Sequence, residues 1–405
     1  MAVTRQGPDT LLPVSPVAGV DIGVSAAGIR YAARNDLVVM AFAPQSAVAV
    51  TLTRNAFCAA PVTVVKQHLA AGQPRFVVIN AGNANAGTGE RGLADARDSC
   101  AHLARLAGVE PRQVLPFSTG VIGEFLPMDK VRSGIEQAVA GLGKADWDDA
   151  AAAIMTTDTV PKGCSERVQC AGGTVTLTGI AKGAGMIHPN MATMLAYVAT
   201  DARIAPAVLQ TWLRAGVRQS FNRITVDGDT STNDACLLAA TGTSGIAISA
   251  ADQADFIAAL NRVLLHLAHD IVCDAEGATR FVAITVRQAP SEAVAERVAF
   301  TVAHSPLVKV ALFAGDPNWG RVLAAVGRSD APGLDVSRVD LQIGSTPVLC
   351  QGQPCPDYTD AAGARAMAAS AVTITIGLGM GAAQATVWTS DLSHDYVTIN
   401  AEYRS

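Results

Sequence analysis

The hydrophobic and polar positions of this chain follow two different periods along most of its length. Alternation with period two, which is typical of strands with one buried face, is clearest in four segments: TVTLTG (174–179), TRFVAITV (279–286), VTITIGLG (372–379) and ATVWTS (385–390). The short apolar run RFVVIN (75–80) predicts a further buried strand. DLVVMAF (36–42) and AVAVTLT (47–53) predict a hairpin. Near the chain end, DYVTIN (395–400) alternates in the same way and predicts a strand that anchors the C-terminus.

Between these runs, apolar residues recur at the three- and four-residue spacing that is typical of helices with one buried face. Five segments share this pattern: 93–108, 127–143, 206–220, 251–268 and 291–302. Interleaved strands and helices predict an α/β protein. Because several strands follow one another at meander spacing, layered sheets with helices outside fit better than one doubly wound sheet. The pattern contains no internal repeat or clear linker, so it does not determine domain boundaries.

Composition narrows the class of protein. A length of 405 residues allows two or three domains with sizeable cores. Apolar residues make up 50% of the chain and charged residues 16%, below the roughly 25% charged content of average soluble proteins, which favours a tightly packed enzyme. No run approaches the ~20 apolar residues of a membrane span, and residues 1–18 lack the apolar core of a signal peptide. We therefore expect a cytoplasmic protein without membrane partners, and the net charge of −5 argues against a nucleic-acid partner.

The cysteine pattern favours free thiols. The eight cysteines are Cys58, Cys100, Cys164, Cys170, Cys236, Cys273, Cys350 and Cys355. They are scattered, and none forms the C-x-x-C spacing of a metal or redox site. In a cytosolic chain such cysteines are expected to be packed thiols and not disulfides or zinc ligands.

Two glycine-rich polar segments in the first half of the chain interrupt the apolar pattern. NAGNANAGTGERG (80–92) could expose backbone amides to an anion, or it could be an elaborate turn. PFSTGVIGE (116–124) places the hydroxyl of Thr119 next to the N–H of Gly120. These are two good donors for a developing oxyanion, although an ordinary turn has the same composition.

Two further polar segments lie in the second half. In SFNRITVDGDTSTNDACLLAATG (220–242), Asp227, Asp229 and Asp234 resemble a calcium loop in composition. They lack the spacing and the closing glutamate of an EF-hand, so we expect hydrogen-bonded turns that shape a cleft and no metal site. CDAEGATR (273–280) places Glu276 at the entrance to a strand, where it could bind a substrate amine or belong to a solvated turn.

The most unusual stretch is KGAGMIHPNMATMLAYVATDA (182–202). Gly183, Gly185 and Pro189 lead to the hydroxyl of Thr193, which stands at the start of an apolar run. A buried turn before a core strand is one interpretation. The other is a nucleophile that becomes reactive by cutting its own chain.

This stretch closely resembles the processing segment of the ornithine acetyltransferases, also called glutamate N-acetyltransferases, which serve arginine biosynthesis. Other motifs resemble the same family: NAGNANAGTG, PFSTGVIGE, TTDT-PK (156–162), ITVDGDTSTND and GDPNWGR. The similarity is collinear from about residue 19 to the C-terminus. It implies a layered α-β-β-α sandwich of the self-processing ornithine acetyltransferase and aminopeptidase type, with a smaller second α/β domain.

The resemblance also implies self-cleavage between Ala192 and Thr193. The Thr193 hydroxyl would attack the carbonyl of Ala192, and water would hydrolyse the resulting ester. The products would be an α chain, 1–192, and a β chain, 193–405, that begins with the nucleophile. The freed α-amino group has an ordinary pKa near ~8 and could act as a base at neutral pH.

Carried over position by position, the resemblance assigns the site residues. Thr119 and Gly120 would form the oxyanion hole. The substrate-binding positions would be Thr156, Lys182, Thr193, Glu276, Asn400 and Ser405. Lys182 suits a substrate carboxylate and Glu276 suits an amine; from its pattern alone, Lys182 would be an ordinary lysine at a strand end.

The sequence departs from the family in two places. DAEGATR carries Ala275 and Arg280 where the family usually has glycine and lysine. GIRYAARNDL (28–37) replaces a stretch that is often rich in lysine. The first departure raises the question of whether a flexible glycine beside Glu276 is needed.

The implied reaction is acetyl transfer from N-acetylornithine to glutamate through acetyl-Thr193, with acetyl-CoA as a possible second donor. It needs no cofactor and no metal, and the family resemblance favours a homo-oligomer of αβ units. A related self-processing aminopeptidase or amidohydrolase, which transfers the acyl group to water, is the rival enzyme class. A non-enzymatic scaffold is disfavoured while Thr193, Thr119 and Gly120 are all present.

Overall fold

The computed structural model describes residues 13–188 and 194–402. The strands in these residues are β1 (Val20–Ser25), β2 (Leu37–Phe42), β3 (Ala47–Leu52), β4 (Phe76–Asn83), β5 (Val114–Val121), β6 (Lys162–Cys170), β7 (Gly173–Lys182), β8 (Leu195–Thr200), β9 (Ile224–Thr225), β10 (Ala235–Ala240), β11 (Phe281–Ala289), β12 (Asp340–Ile343), β13 (Thr346–Cys350), β14 (Gln353–Pro354), β15 (Ala371–Gly377) and β16 (Ala383–Ser390). The α-helices are α1 (Ala60–Ala71), α2 (Gly89–Ala107), α3 (Met128–Ala140), α4 (Trp147–Ala153), α5 (Pro206–Gln219), α6 (Gln253–Cys273), α7 (Glu292–Ala303), α8 (Pro306–Ala314), α9 (Trp319–Gly327), α10 (Asp360–Ala366) and α11 (His394–Ala401).

Two sheets face each other in the first part of the fold. The first has the order β1-β2-β4-β5, and the second has the order β3-β10-β8-β7-β6. Alternate side chains of both sheets point into one shared core, in which Ile79 and Leu115 of the first sheet lie in the same buried cluster as Tyr197 and Leu237 of the second. This shared core is what the period-two alternation of the sequence specifies.

Helices cover the outer faces of both sheets. Leu103 of α2 and Ile135 of α3 cluster with Val39 and Val78 on the outer face of the first sheet. The outer face of the second sheet is buried by α5 and α6 in the same way. The result is the predicted α-β-β-α sandwich, which confirms the α/β fold class.

A third sheet with the order β14-β13-β12-β15-β11-β16-β9 forms the smaller second α/β domain. Helices α7, α8 and α9 pack on it around a separate core. The edge strand β9 belongs to the segment that follows α5, and it pairs in parallel with β16. This pairing fixes the polar 226–234 segment between the two domains.

The long helix α6 has the length and hydropathy of a candidate membrane span. Its residues Leu260, Leu264 and Leu267 are fully buried against the second sheet. A helix that is buried in a core needs the same apolar composition.

The predicted hairpin of 36–42 and 47–53 is wrong. β2 pairs with β1 and β4 in the first sheet, whereas β3 pairs with β10 in the second. Val38 and Met40 face Val48 and Val50 across the shared core. Because both strands bury one face in this core, the four residues between them carry the chain from one layer to the other.

The predicted strand at 395–400 is also wrong, since these residues lie in α11. β16, the strand that precedes them, already pairs with β11 on one edge and with β9 on the other. No free strand edge is therefore available beside it. Instead, the start of α11 packs on Gly277, whose carbonyl oxygen accepts a hydrogen bond of 2.6 Å from the Ser393 hydroxyl.

The expectation of free thiols fails at one pair of cysteines. Cys350 and Cys355 form a disulfide in the β13–β14 hairpin. The other six cysteines are free. Both bonded cysteines belong to the predicted 193–405 chain, so this disulfide does not join the two predicted products of cleavage.

Candidate active site

Six of the predicted site residues come together in one small pocket. Its volume is about 110 Å³, and its lining includes Thr119, Gly120, Thr156, Lys182, Glu276 and Asn400. β5 supplies the first two, β7 supplies Lys182, and α11 supplies Asn400. The remaining predicted site residues, Ala192, Thr193 and Ser405, lie outside the described residues.

Lys182 organises one wall of this pocket. Its side chain is buried, and the ammonium Nζ donates to the hydroxyl oxygens of Thr119, at 3.1 Å, and Thr156, at 2.8 Å. Because each hydroxyl oxygen accepts from a cation, its own proton is directed elsewhere. The Thr119 hydroxyl is thereby prepared to donate to a group in the pocket.

Gly120 allows two strands to approach very closely beside Thr119. Its φ is +133°, a region that favours glycine. A Cβ at this position would lie 2.2 Å from the carbonyl carbon of Gly82 on β4. The pairing of β4 with β5 shifts register here, between Gly82 and Asn83. No residue with a side chain fits at 120 without moving the end of β4.

A buried charge network lies behind Lys182. The Asp158 carboxylate accepts hydrogen bonds from Lys162 Nζ at 2.6 Å, from Gly183 N at 2.6 Å and from Thr156 N at 3.0 Å. Lys162 also pairs with Asp274 at 2.6 Å. Asp158 thus holds both Thr156 in the pocket wall and Gly183, which follows Lys182, in place.

The pKa values in this network follow from burial and from neighbouring charges. Burial alone would raise the pKa of Asp158, but Lys162 and Lys182 hold it well below its usual range. Burial lowers the pKa of Lys182, and Asp158 only partly opposes this effect. The ammonium of Lys182 is therefore easier to deprotonate than that of an exposed lysine.

Glu276 forms the opposite side of the pocket. Its Oε2 accepts a 2.8 Å hydrogen bond from Asn400 Nδ2, and its backbone N–H donates to the carbonyl of Ala184 at 2.9 Å. A Cβ on Gly185 would lie 2.3 Å from Glu276 Oε2, so a glycine at 185 leaves the room that the carboxylate occupies. The pocket therefore offers a cation on one wall and a carboxylate with an amide on the other.

The two residues of DAEGATR that depart from the family motif, Ala275 and Arg280, leave this arrangement intact. Ala275 is buried in the core of the second sheet, and it is not among the residues with positive φ. A glycine is therefore not needed at this position. The Arg280 guanidinium donates to the carbonyls of Met367 and Ala369 in the second domain, at 2.5 and 2.7 Å.

Two aspartates hold the described ends of the chain on either side of the predicted cleavage site. Asp227 accepts from the N–H groups of Met186, at 2.6 Å, and Ile187, at 3.0 Å. Asp234 accepts from the N–H of Met194 at 3.1 Å. The 220–242 segment resembles a calcium loop in composition, but these two carboxylates accept hydrogen bonds from backbone amides.

Asp234, which the sequence places only in a hydrogen-bonded turn, is a further candidate for a functional residue. It is almost fully buried, and its Oδ2 has no hydrogen-bond partner among the described residues. Burial raises its pKa well above the usual value, and the Met194 N–H opposes this only in part. Asp158 and Lys162 belong to the TTDT-PK motif, but the sequence assigns them no role. No local pattern indicates that they support Lys182.

The fold and the pocket together define a class of protein. An α-β-β-α sandwich holds a pocket in which a hydroxyl, a glycine N–H, a buried ammonium and a carboxylate converge. Such a set suits acyl transfer between small amino-acid substrates, because it can bind a zwitterion and stabilise an oxyanion.

Comparison with known proteins specifies the family. The ArgJ family model matches residues 21–405. The arginine biosynthesis bifunctional protein ArgJ of Methylococcus capsulatus is 52% identical over 393 residues, which cover 96% of each chain. The protein of the same name from Pseudomonas fluorescens is 49% identical over 394 residues, which cover 96% of this chain and 97% of the relative.

Among solved structures, an ornithine acetyltransferase from Mycobacterium tuberculosis in complex with ornithine is 38% identical. The match covers 43% of this chain and 92% of that chain, with a TM-score of 0.40. The sequence matches show that the chain belongs to the ArgJ family. The family predicted from the motifs, an acyltransferase family of arginine biosynthesis, is confirmed.

Proposed function

We propose that the chain transfers an acetyl group from N-acetylornithine to glutamate through an acetyl ester on Thr193, and that acetyl-CoA serves as a second donor. The observation that carries this proposal is the arrangement of Lys182 between two hydroxyls on one wall of the pocket, with Glu276 and Asn400 on the other. Family membership supports it, since the matched relatives are named as bifunctional proteins of arginine biosynthesis.

The pocket fits the charges of the two substrates. An α-carboxylate can pair with the Lys182 ammonium and displace it from one of its hydroxyl partners. An amine can pair with Glu276, whose second oxygen is free of Asn400. The volume of about 110 Å³ is well below the 300–1,000 Å³ of pockets for drug-sized ligands. It favours one small substrate at a time, as a ping-pong reaction requires.

In the first half-reaction, the Thr193 oxygen attacks the acetyl carbonyl carbon of N-acetylornithine. The C–N bond breaks, the ester forms, and the hydroxyl proton passes through the free α-amino group of Thr193 to the departing nitrogen of ornithine. In the second half-reaction, the amine of glutamate attacks the ester carbonyl. The C–O bond breaks, N-acetylglutamate leaves, and the proton returns to the Thr193 oxygen.

Both half-reactions, and self-cleavage before them, pass through a tetrahedral oxyanion. Thr119 and Gly120 are proposed to stabilise it through the hydroxyl and the backbone N–H. The same two donors would serve the attack of Thr193 on the Ala192 carbonyl. One site would therefore first cut the chain and then transfer the acetyl group.

The acceptor separates this proposal from its rival, an N-terminal-nucleophile aminopeptidase or amidohydrolase. Purified enzyme is incubated with N-acetylornithine, with and without isotopically labelled glutamate, and the products are quantified. We expect one labelled N-acetylglutamate for each ornithine released, and little acetate without glutamate. Equal release of acetate and ornithine in both incubations would assign the chain to the hydrolases.

The cellular setting and the assembly belong to the same proposal. We propose a cytoplasmic enzyme that assembles αβ units into a homo-oligomer. Six of the eight cysteines are free, which fits a reducing compartment, whereas the Cys350–Cys355 disulfide does not add to this support. The mass of the assembly in solution, measured by light scattering, tests the oligomer.

A further inference from the structure

A second and much larger cleft lies between the end of β3, helix α5 and helix α7. Its volume is about 1070 Å³, and it contains none of the predicted site residues. Three arginines line it: Arg54, Arg214 and Arg218. We propose that this cleft binds the phosphorylated nucleotide portion of a thioester acyl donor, so the inference rests on the proposed use of acetyl-CoA.

The charges of the cleft leave two guanidinium groups available to an anion. Arg54 and Arg214 are exposed and make no ion pair or side-chain hydrogen bond with any other described residue. Arg214 and Arg218 are four residues apart in α5 and therefore lie on the same side of the helix. Arg218 pairs with Glu292 at 2.7 Å.

The acidic group in the lining does not cancel this charge. Glu296 lines the cleft, but it already pairs at 2.7 Å with the buried guanidinium of Arg223. Burial lowers the pKa of both histidines in the lining, His188 and His304, so at neutral pH they add no charge. The whole chain carries a net charge of −5, so the positive charge of the two unpaired arginines is confined to this cleft and does not reflect the charge of the chain.

The shape and the remaining lining favour a nucleotide over a simple anion. Guanidinium groups bind phosphate oxygens through paired hydrogen bonds. Leu52 and Phe300, which are only partly buried, add apolar surface on which a purine ring can lie. The volume of about 1070 Å³ lies just above the 300–1,000 Å³ of pockets for drug-sized ligands, whereas the small pocket of about 110 Å³ has no room for a nucleotide.

Residues that are close neighbours along the chain line the cleft and the small pocket. Met186 lines the pocket, and His188, two residues later, lines the cleft. On the other wall, Thr53 donates a 2.9 Å hydrogen bond to the carbonyl of Ser231, which lines the pocket, while the next residue, Arg54, lines the cleft. A donor with a flexible arm between its nucleotide and its thioester can therefore place one end in each cavity.

The test uses the full-length, self-processed enzyme and a double variant, Arg54→Gln with Arg214→Gln. Binding of adenosine 3′,5′-bisphosphate and of coenzyme A is measured by calorimetry, together with the KM for acetyl-CoA. Loss of two charge-assisted phosphate contacts should raise the Kd of both nucleotides and the KM for acetyl-CoA by about tenfold or more. Transfer from N-acetylornithine to glutamate should be unchanged, because neither arginine lines the small pocket.

The matched control is Arg112→Gln with Arg287→Gln, which removes two exposed arginines outside the cleft and should change none of these constants. The inference is overturned if the wild-type enzyme binds neither nucleotide, or if the double variant binds both as tightly. It is also overturned if inorganic phosphate competes as well as adenosine 3′,5′-bisphosphate at equal concentration. Absence of transfer from N-acetylornithine would instead refute the proposed reaction, while bisphosphate binding would still decide the role of the cleft.

Discussion

At the scale of single residues, the pocket depends on how one buried cation directs two hydroxyl groups. Lys182 donates to both Thr119 and Thr156, so each hydroxyl keeps its proton for another acceptor. Asp158 behind them keeps the local charge balanced and holds Thr156 N and Gly183 N in place. Lys182, which is also the proposed partner of the substrate carboxylate, and the buried Asp158 behind it therefore determine which way the proposed oxyanion donor points.

The role of Thr119 can be tested by removing its hydroxyl. Thr119→Ala should lower kcat by about 10²–10³-fold, because a preorganised oxyanion donor is lost, and should change KM far less. Thr119→Ser keeps the hydroxyl and is the matched control, with kcat close to that of the wild type. Steady-state kinetics that leave kcat of the alanine variant unchanged would remove Thr119 from the mechanism.

The lowered pKa of Lys182 predicts an unusual pH dependence of binding. N-acetylglutamate carries no amine that titrates between pH 7 and 10, so the pH dependence of its Kd reports on groups of the enzyme: Lys182 and the freed α-amino group of Thr193, whose ordinary pKa is near ~8. Below its pKa, Lys182 is charged and binds; above it the charge is lost, and Kd should rise by up to about tenfold per pH unit. Burial lowers this pKa, so the rise should begin below the usual range of a lysine.

Lys182→Arg provides the control for this titration. A guanidinium stays protonated throughout the range, so the Kd of this variant should lose the rise that Lys182 causes and keep only the contribution of the Thr193 amine, even if binding is weaker. A wild-type Kd that stays constant up to pH 10 would show that Lys182 does not bind the carboxylate in its charged form.

At the scale of elements, strands and helices with a clear period could be predicted, but their partners could not. β7, β11, β15 and β16 stand where the alternation of the sequence places them. Alternation does not reveal which sheet a strand joins, so the 36–42 and 47–53 strands were wrongly paired with each other. Residues 395–400 alternate in the same way but form a helix. They cannot add a strand beside β16, because both of its edges are already paired.

Helix α11 carries a prediction of its own, since it brings Asn400 to Glu276. Deletion of residues 400–405 should leave self-cleavage intact, because no substrate is needed for it. Use of N-acetylornithine and glutamate should fall by about tenfold, since Glu276 loses its partner and an unpaired polar group costs about 1–3 kcal/mol. Full transferase activity in the cleaved, truncated protein would show that the chain end is expendable. Asn400→Ala, which removes the amide without adding a charge beside Glu276, separates loss of the amide from loss of the helix end.

At the scale of the whole molecule, the site exists only because the fold gathers distant residues. Motif resemblance could place Thr119, Lys182 and Glu276 in one site, and the structure brings them to one pocket. The Asp158–Lys162–Asp274 network was beyond sequence reasoning, because Asp274 reaches Lys162 only in the folded chain. The disulfide of Cys350 and Cys355 was missed because a tight hairpin turn brings the two cysteines together. Their spacing in the sequence does not reveal that turn.

The sheet topology explains how two products of self-cleavage would stay together. In the second sheet, β3, β6 and β7 precede the predicted break, whereas β8 and β10 follow it. β7 pairs with β8 from Lys182 with Leu195 onward, and β3 pairs with β10 over its whole length. Strand pairing and a shared core therefore hold both chains in one sandwich without a disulfide between them.

The central claim is that Thr193 cuts the chain and then carries the acetyl group, and intact-mass measurement on freshly purified protein tests it most directly. We expect two chains, 1–192 and 193–405, and after incubation with N-acetylornithine one added acetyl group on the second chain alone. Glutamate should remove that group, while Thr193→Ala should remain a single chain of 405 residues that gains no acetyl group. A wild-type protein that stays uncut, or that takes up acetyl on residues 1–192, would contradict the account.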